Sequence, residues 1–225
     1  MNKGFFVTGT GTDIGKTYVT ALLIAQMRKL GLSVGYYKAA ISGADSIPES
    51  DAGYVNQKAG IYQNEETLVS YLYKEPVSPH LAARLEGNPL ETDKVLKDYR
   101  AVREQYEYVV CEGSGGIMCP LRYDKTAHIF LEDIIKMLAL DTVLVADAGL
   151  GTINSVVLTA EYMKHRDMKI RGIILNHYTD TIMQRDNRNM IEELTGIPVV
   201  ALVRPGETEL NMDNHTWMKL LEEEQ

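Results

Sequence analysis

Apolar, β-branched runs of strand length recur along the chain at Gly4 to Thr8, Ser33 to Lys38, Tyr106 to Cys111, Thr142 to Ala146, Ile170 to Leu175 and Val199 to Val203. The runs are continuous rather than alternating, which is the pattern of strands buried on both faces. The segments between them are long enough for crossover helices, so a mostly parallel sheet in an α/β fold is expected. After Lys16, apolar residues at Val19, Leu22, Leu23, Met27 and Leu30 keep close to the helical period, and Gly31 supplies a left-handed stop. This predicts a helix from about Gly15 to Leu30. Further helices are predicted at Glu91 to Glu104, Phe130 to Leu140, Thr152 to His165 and Met183 to Thr195, with a short acidic closing helix at Asp213 to Glu224. The stretch Ile41 to Pro89 holds four of the seven prolines. It is too apolar and aromatic for a disordered tether, and reads as a loop-rich excursion with short helices that walls a site at the sheet edge.

Composition narrows the class. With 45% hydrophobic residues in 225, the chain can bury one sizeable core, so one domain over residues 1–225 is the expectation. Acidic side chains outnumber basic ones, 31 to 23, for a net charge of −8, and no Lys or Arg cluster stands apart, which disfavours a nucleic-acid partner. No apolar stretch approaches the roughly 20 residues of a membrane helix, and Met1 to Gly9 lacks the layout of a signal peptide. A cytosolic protein is expected. Cys111 and Cys119 are the only cysteines and form no C-x-x-C pair, so two reduced thiols are expected rather than a disulfide or thiolate metal site. The five histidines form no H-x-x-x-H pair, and the thirteen dispersed tyrosines read as core and rim packing.

The most informative segment runs from Val7 to Thr17, between the first expected strand and the first helix: Val-Thr-Gly-Thr-Gly-Thr-Asp-Ile-Gly-Lys-Thr. Backbone N–H groups of a glycine-rich turn at a helix start bind phosphate oxygens, and a lysine beside them adds a point charge. The strict G-x-x-x-x-G-K-[ST] spacing would place glycine where Thr10 stands, so this is a variant P-loop. A dinucleotide fingerprint would need glycine at Ile14. Gly15-Lys16-Thr17 favours a nucleoside triphosphate, with Lys16 beside its β and γ phosphates and Thr17 ligating magnesium.

A P-loop needs an acid at the end of a neighbouring strand. Glu112 ends one apolar run and is followed by Gly113-Ser114-Gly115-Gly116, whose glycines let backbone approach phosphate. Asp147 also follows a strand and is the alternative acid. Ser114 is not a nucleophile elbow, since G-x-S-x-G would require glycine at Glu112. Lys38 ends the second strand, which points it at the crevice where open α/β sheets bind ligands.

Taken together, Val7 to Thr10 with Gly15-Lys16-Thr17, Tyr37-Lys38 with Gly43, Ser50-Asp51-Ala52, Ser78-Pro79-His80, Val110 to Gly116 with Pro120-Leu121, Gly149 to Asn154, and Gly172 to Asn176 resemble the dethiobiotin synthetase family over nearly the full length. The resemblance implies a P-loop fold with a seven-stranded parallel sheet flanked by helices, acting as a homodimer. It implies ATP and Mg2+ as cofactors, and 7,8-diaminopelargonate and CO2 as substrates. One amine takes CO2 to give a carbamate, ATP phosphorylates it, and the second amine closes a cyclic urea, releasing phosphate and ADP. By position, Thr12, Asp13, Ile14, Gly15, Lys16 and Thr17 would bind the triphosphate, with Glu112, Gly113, Ser114 and Gly115 alongside. Lys16 and Lys38 would be catalytic, and Thr17, Asp51 and Glu112 would hold Mg2+. Thr12, Lys38 and Ser42 would contact substrate, and the turn carrying Gly151, Thr152 and Asn154 would receive its carboxylate from the partner subunit. Asn176 would read the adenine edge, with Pro205, Gly206 and Glu207 as a second base-binding loop.

The sequence departs from the family pattern at Ala39, where proline usually follows the lysine, and at Asp13, where the loop usually has Glu. It also has Ala201-Leu202-Val203-Arg204-Pro205 in place of a glycine-containing turn, which leads us to expect relaxed nucleotide selectivity. The main rival is a partition or membrane-targeting switch ATPase of the same loop group. That class needs a signature lysine near the loop start, positions 9–14 contain none, and the tail Trp217 to Gln225 is acidic rather than basic and amphipathic. A ligase acting on another diamine is the second alternative.

Overall fold

The computed structural model describes residues 3–221. β1 (Gly4–Gly9) leads through the glycine-rich turn into α1 (Lys16–Lys29) and back to β2 (Val34–Ser42). Then come α2 (Asp51–Lys58), β3 (Val69–Tyr73), α3 (Pro79–Leu85), α4 (Thr92–Arg103) and β4 (Tyr108–Glu112). A ribbon of β5 (Pro120–Tyr123) and β6 (His128–Phe130) precedes α5 (Leu131–Leu138) and β7 (Thr142–Asp147). The chain closes with α6 (Thr152–His165), β8 (Ile170–Asn176), α7 (Ile182–Thr195), β9 (Val199–Leu202) and α8 (Asn214–Leu221).

Seven strands form one parallel sheet in the order β3-β2-β4-β1-β7-β8-β9. The continuous apolar runs have their reason in β1: Phe5 and Val7 pack into the layer under α1, while the intervening Phe6 packs into the layer beneath α4 and α5. A strand covered on both faces offers few positions to polar side chains. β5 and β6 pair antiparallel, apart from the main sheet.

All six strands and all six helices read from periodicity are present, but β2 does not end at Lys38 as read from the sequence: it runs on to Ser42, where it pairs with β3. The apolar pattern alone did not reveal β3 or the ribbon. β3 alternates buried and half-buried residues at the sheet edge, inside the excursion read as loop, and β5 and β6 have only four and three residues. The closing helix starts at Asn214 and is described to Leu221; the rest of its expected span lies outside the described residues. Among the described residues no helix is long and apolar enough to cross a membrane.

Register sets up the site. Val7 of β1 and Lys38 of β2 both lie opposite Glu112 at the end of the intervening β4. The glycine-rich turn, Lys38 and Glu112 are therefore neighbours at the carboxyl edge of the sheet, where ligands of open α/β folds bind.

Candidate active site

The turn after β1 reaches α1 through two left-handed residues, Asp13 at φ 58° and Gly15 at φ 85°. Gly15 has a second reason to be glycine: a Cβ there would lie 2.1 Å from Asn176 Nδ2, which donates to the Ile14 carbonyl at 2.9 Å. Asn176, at the end of β8 and buried, thus braces the turn from below. Lys16 folds back over the loop and donates to the Gly11 carbonyl at 2.7 Å. The arrangement leaves the N-terminal end of a fourteen-residue helix under the loop, a setting that favours an anion.

Beside the loop lies an ionic cluster in which Lys38 and Glu112 are buried and Asp51 is half-exposed. Lys38, 3% exposed, donates to Glu112 Oε1 at 2.7 Å and to Asp51 Oδ2 at 2.6 Å. Thr17 donates to the same Glu112 oxygen at 2.8 Å, and the Tyr36 hydroxyl donates to Oε2 at 3.3 Å. Asp51 arrives as the first residue of α2, whose start is capped by the Ser50 hydroxyl. Burial pulls the Lys38 pKa down, but Glu112 and Asp51 outweigh it and hold the ammonium above its ordinary value. Burial opposes ionisation of Asp51 too, but the charge and hydrogen bond of Lys38, together with Thr17 and Lys16, outweigh it and leave the carboxyl below the usual range. Lys16 is lowered by burial and by the facing Lys38. Tyr36 is pushed well above the usual phenol range by burial and by Glu112, so it remains a donor.

These groups form the charged side of a cavity of about 820 Å³. Ile41, Pro76, Val77, Pro79 and Cys119 give it an apolar side, and burial pushes the Cys119 thiol up to about 11. Of the residues singled out from the sequence, Thr12, Asp13, Gly15, Lys16, Thr17, Lys38, Ser42, Asp51, Glu112, Ser114 and Gly115 line it. Ser114 is tied to the end of β2 by a 2.6 Å bond to the Ala40 carbonyl. The excursion from Ile41 to Pro89 does wall the site, through Pro76 to Pro79.

The remaining candidates lie elsewhere. Ile14 and Gly113 belong to the flanking loops but do not line the cavity. Pro205, Gly206 and Glu207 form a turn against α1, where Tyr18 donates to the Glu207 carbonyl. Gly151, Thr152 and Asn154 begin α6, outside the cavity. Asp147, the alternative acid, is committed to His177 at 2.6 Å and to the Gly149 N–H at 2.6 Å, and does not line the cavity. Sequence reasoning missed Tyr36, hidden in a run read as strand, and the apolar wall residues Ile41, Val77 and Cys119. The wall as a whole was read in the stretch Ile41 to Pro89, but not which of its side chains face the cavity, and Cys119 lies outside that stretch.

Glu112 and Asp51 converge on Lys38, and the Thr17 hydroxyl bonds Glu112, so hard oxygen donors gather at one point beside the loop. Among the described residues no group of three or more His, Cys, Asp or Glu could hold a metal. The oxygen donors of Thr17, Asp51 and Glu112 fit magnesium, which takes one or two carboxylates and completes its shell with water and nucleotide phosphates.

A family model described as an AAA domain matches residues 3–211. The chain is 49% identical over 215 residues to the ATP-dependent dethiobiotin synthetase BioD of Brachyspira hyodysenteriae, covering 95% of this chain and 97% of that protein. It is 46% identical over 204 residues to the enzyme of the same name from Clostridium botulinum, covering 88% and 89%. Among solved structures, a ParA family ATPase from Chlorobium tepidum superposes with a TM-score of 0.58 at 13% identity, over 98% of this chain and 90% of that one, a likeness of fold alone.

Proposed function

The chain belongs to the ATP-dependent dethiobiotin synthetases, and we propose that its buried lysine and carboxylate cluster carries the phosphorylation of a carbamate formed on 7,8-diaminopelargonate. The observation that carries this reading is Lys38, a buried ammonium at the cavity floor held by Glu112 and Asp51 beside the P-loop. One substrate amine adds to CO2 and loses a proton, giving a carbamate anion. A carbamate oxygen then attacks the γ-phosphorus and ADP departs. The second amine attacks the carbonyl carbon, expelling phosphate and closing the cyclic urea. Both early steps gather negative charge where Lys38 and Lys16 sit, and fixed cations lower such a barrier without reorganising. Two amines held beside one carbon make ring closure effectively unimolecular.

The loop N–H groups from Thr12 to Thr17 and Lys16 hold the triphosphate, with Gly113, Ser114 and Gly115 on its flank. Thr17, Asp51 and Glu112 would hold magnesium, which when bound neutralises charge on the phosphates. Ser42 and Thr12 face the substrate, whose aliphatic chain suits the wall of Ile41, Val77 and Pro79. Asn176 and the turn at Pro205, Gly206 and Glu207 take the base. The turn's altered sequence supports a less selective base site.

The substrate carboxylate goes to the start of α6 of a second copy, at Gly151, Thr152 and Asn154. Two features support a homodimer with the site at its interface: Thr152 Oγ1 is buried without a partner among the described residues, and Leu150, Leu158 and Ile182 are 92%, 62% and 81% exposed. The two free thiols are in keeping with a reducing cytoplasm.

The test is Lys38→Ala. Affinity for a non-hydrolysable ATP analogue should stay near wild type, because Lys16 and the loop remain, while single-turnover ring closure falls roughly 10²–10³-fold. Normal turnover, or loss of nucleotide binding, would contradict the role.

A further inference from the structure

Glu112 is nearly fully buried, and its two carboxylate oxygens have different surroundings. Oε1 accepts from Thr17 and Lys38, while Oε2 accepts from the Tyr36 hydroxyl. We infer that Tyr36 is a positioning residue for Glu112, its phenol fixing one oxygen so that the other faces Thr17, Lys38 and the metal. The inference rests on the reading that Glu112 holds magnesium. A terminal carboxylate torsion is soft and roughly two-fold; contacts to one oxygen alone leave the plane of the group poorly defined, and a donor on the second oxygen sets it. Outer partners of this kind govern the geometry of metal-binding carboxylates.

The fold makes Tyr36 a rigid donor. Tyr36 and Lys38 are two apart on β2 and so share a face, and they lie opposite Val110 and Glu112 of β4. The ring is fully buried in the layer under α1. The paired register of β3 with β2 begins at Lys38, two residues beyond Tyr36, and a side chain serves Tyr36 instead. Gln63, 3% exposed, accepts from the Tyr36 N–H at 2.9 Å and donates to its carbonyl at 3.0 Å. Gln63 is itself fixed by Asn56 of α2 through both of its backbone groups, at 2.9 and 3.0 Å. Thr67 Oγ1 accepts from its amide at 2.9 Å. A continuous polar chain therefore runs from α2, the helix that also presents Asp51, through Gln63 and Tyr36 to Glu112.

The test is Tyr36→Phe, which keeps the ring and removes the donor, read by paramagnetic resonance of Mn2+ titrated into ADP-loaded protein. Mn2+ affinity should fall about tenfold, with ADP affinity in the presence of EDTA and the unfolding temperature both near wild type. In a Glu112→Gln background the same change should have no further effect on Mn2+, because the tyrosine acts through that carboxylate. Unchanged Mn2+ affinity, an equal loss in the Glu112→Gln background, or a Tyr36→Phe protein that does not fold would each overturn the inference, the last two by assigning Tyr36 to the fold alone. If Glu112→Gln by itself left Mn2+ binding intact, the metal reading would fail and the inference with it.

Discussion

Lys16 and Lys38 share one cavity, yet their surroundings act on them in opposite senses. Burial and the neighbouring ammonium lower Lys16; at Lys38 burial pulls the same way, but Glu112 and Asp51 outweigh it. As pH rises Lys16 gives up its proton first, so the pair loses phosphate-binding charge before it loses the buried cation. What the sequence could show at this scale was identity and order: Gly15-Lys16-Thr17 after one strand, Glu112 at the end of another, and Lys38 on a third, although that strand runs on past it to Ser42. It named Glu112 as the acid and kept Asp147 as the alternative, because both follow strands; in the structure Asp147 bonds His177 and the Gly149 N–H. Gly15 gives the sharpest single-residue prediction for the loop itself. A left-handed non-glycine residue costs about 1–3 kcal/mol, and Ala at this position would also drive a Cβ into the buried Asn176 amide. Gly15→Ala should lower the unfolding temperature by about 2–4 °C per kcal/mol lost and weaken ADP binding at least tenfold. Wild-type values of both in calorimetry would show that the turn does not need its observed shape.

At the scale of elements, legibility followed burial. Strands covered on both faces read as unbroken apolar runs, and β1, β7 and β8 were all visible for that reason. β3 is Val-Ser-Tyr-Leu-Tyr at the sheet edge, bounded by Glu65 and Glu66 on one side and Lys74, Glu75 and Pro76 on the other. Its apolar content was legible only as richness of a loop. α2 is eight residues long with Gly53 inside it, too short and too weakly patterned to stand out, although it delivers Asp51. Gly53 has a local reason, since a Cβ would lie 2.4 Å from both the Ile47 and Pro48 carbonyls. Tyr36 was legible as a strand residue and not as a site residue, because nothing in a run of apolar positions reports which hydroxyl meets a carboxylate across the sheet.

Two questions belong to the whole molecule. The first is assembly: Leu158 on α6, the helix that starts at the turn proposed to receive the substrate carboxylate, and Ile182 on the adjoining α7 stand exposed. Sedimentation should give a dimer for the wild type and a monomer for Leu158→Glu, which should also lose affinity for diaminopelargonate while keeping ATP. A wild type that sediments as a monomer at assay concentration would contradict the interfacial site. The second question is the chemistry for which the cluster of Lys38, Lys16, Asp51 and Glu112 is built, and it is answered by following one oxygen. In a single rapid turnover with ATP, magnesium, 7,8-diaminopelargonate and C18O2, the carbamate oxygen that attacks the γ-phosphorus must leave with the phosphate when the ring closes. The account predicts dethiobiotin and ADP in equal amounts with one 18O in the released phosphate; phosphate without label, or ATP consumed with no dethiobiotin formed, would contradict it.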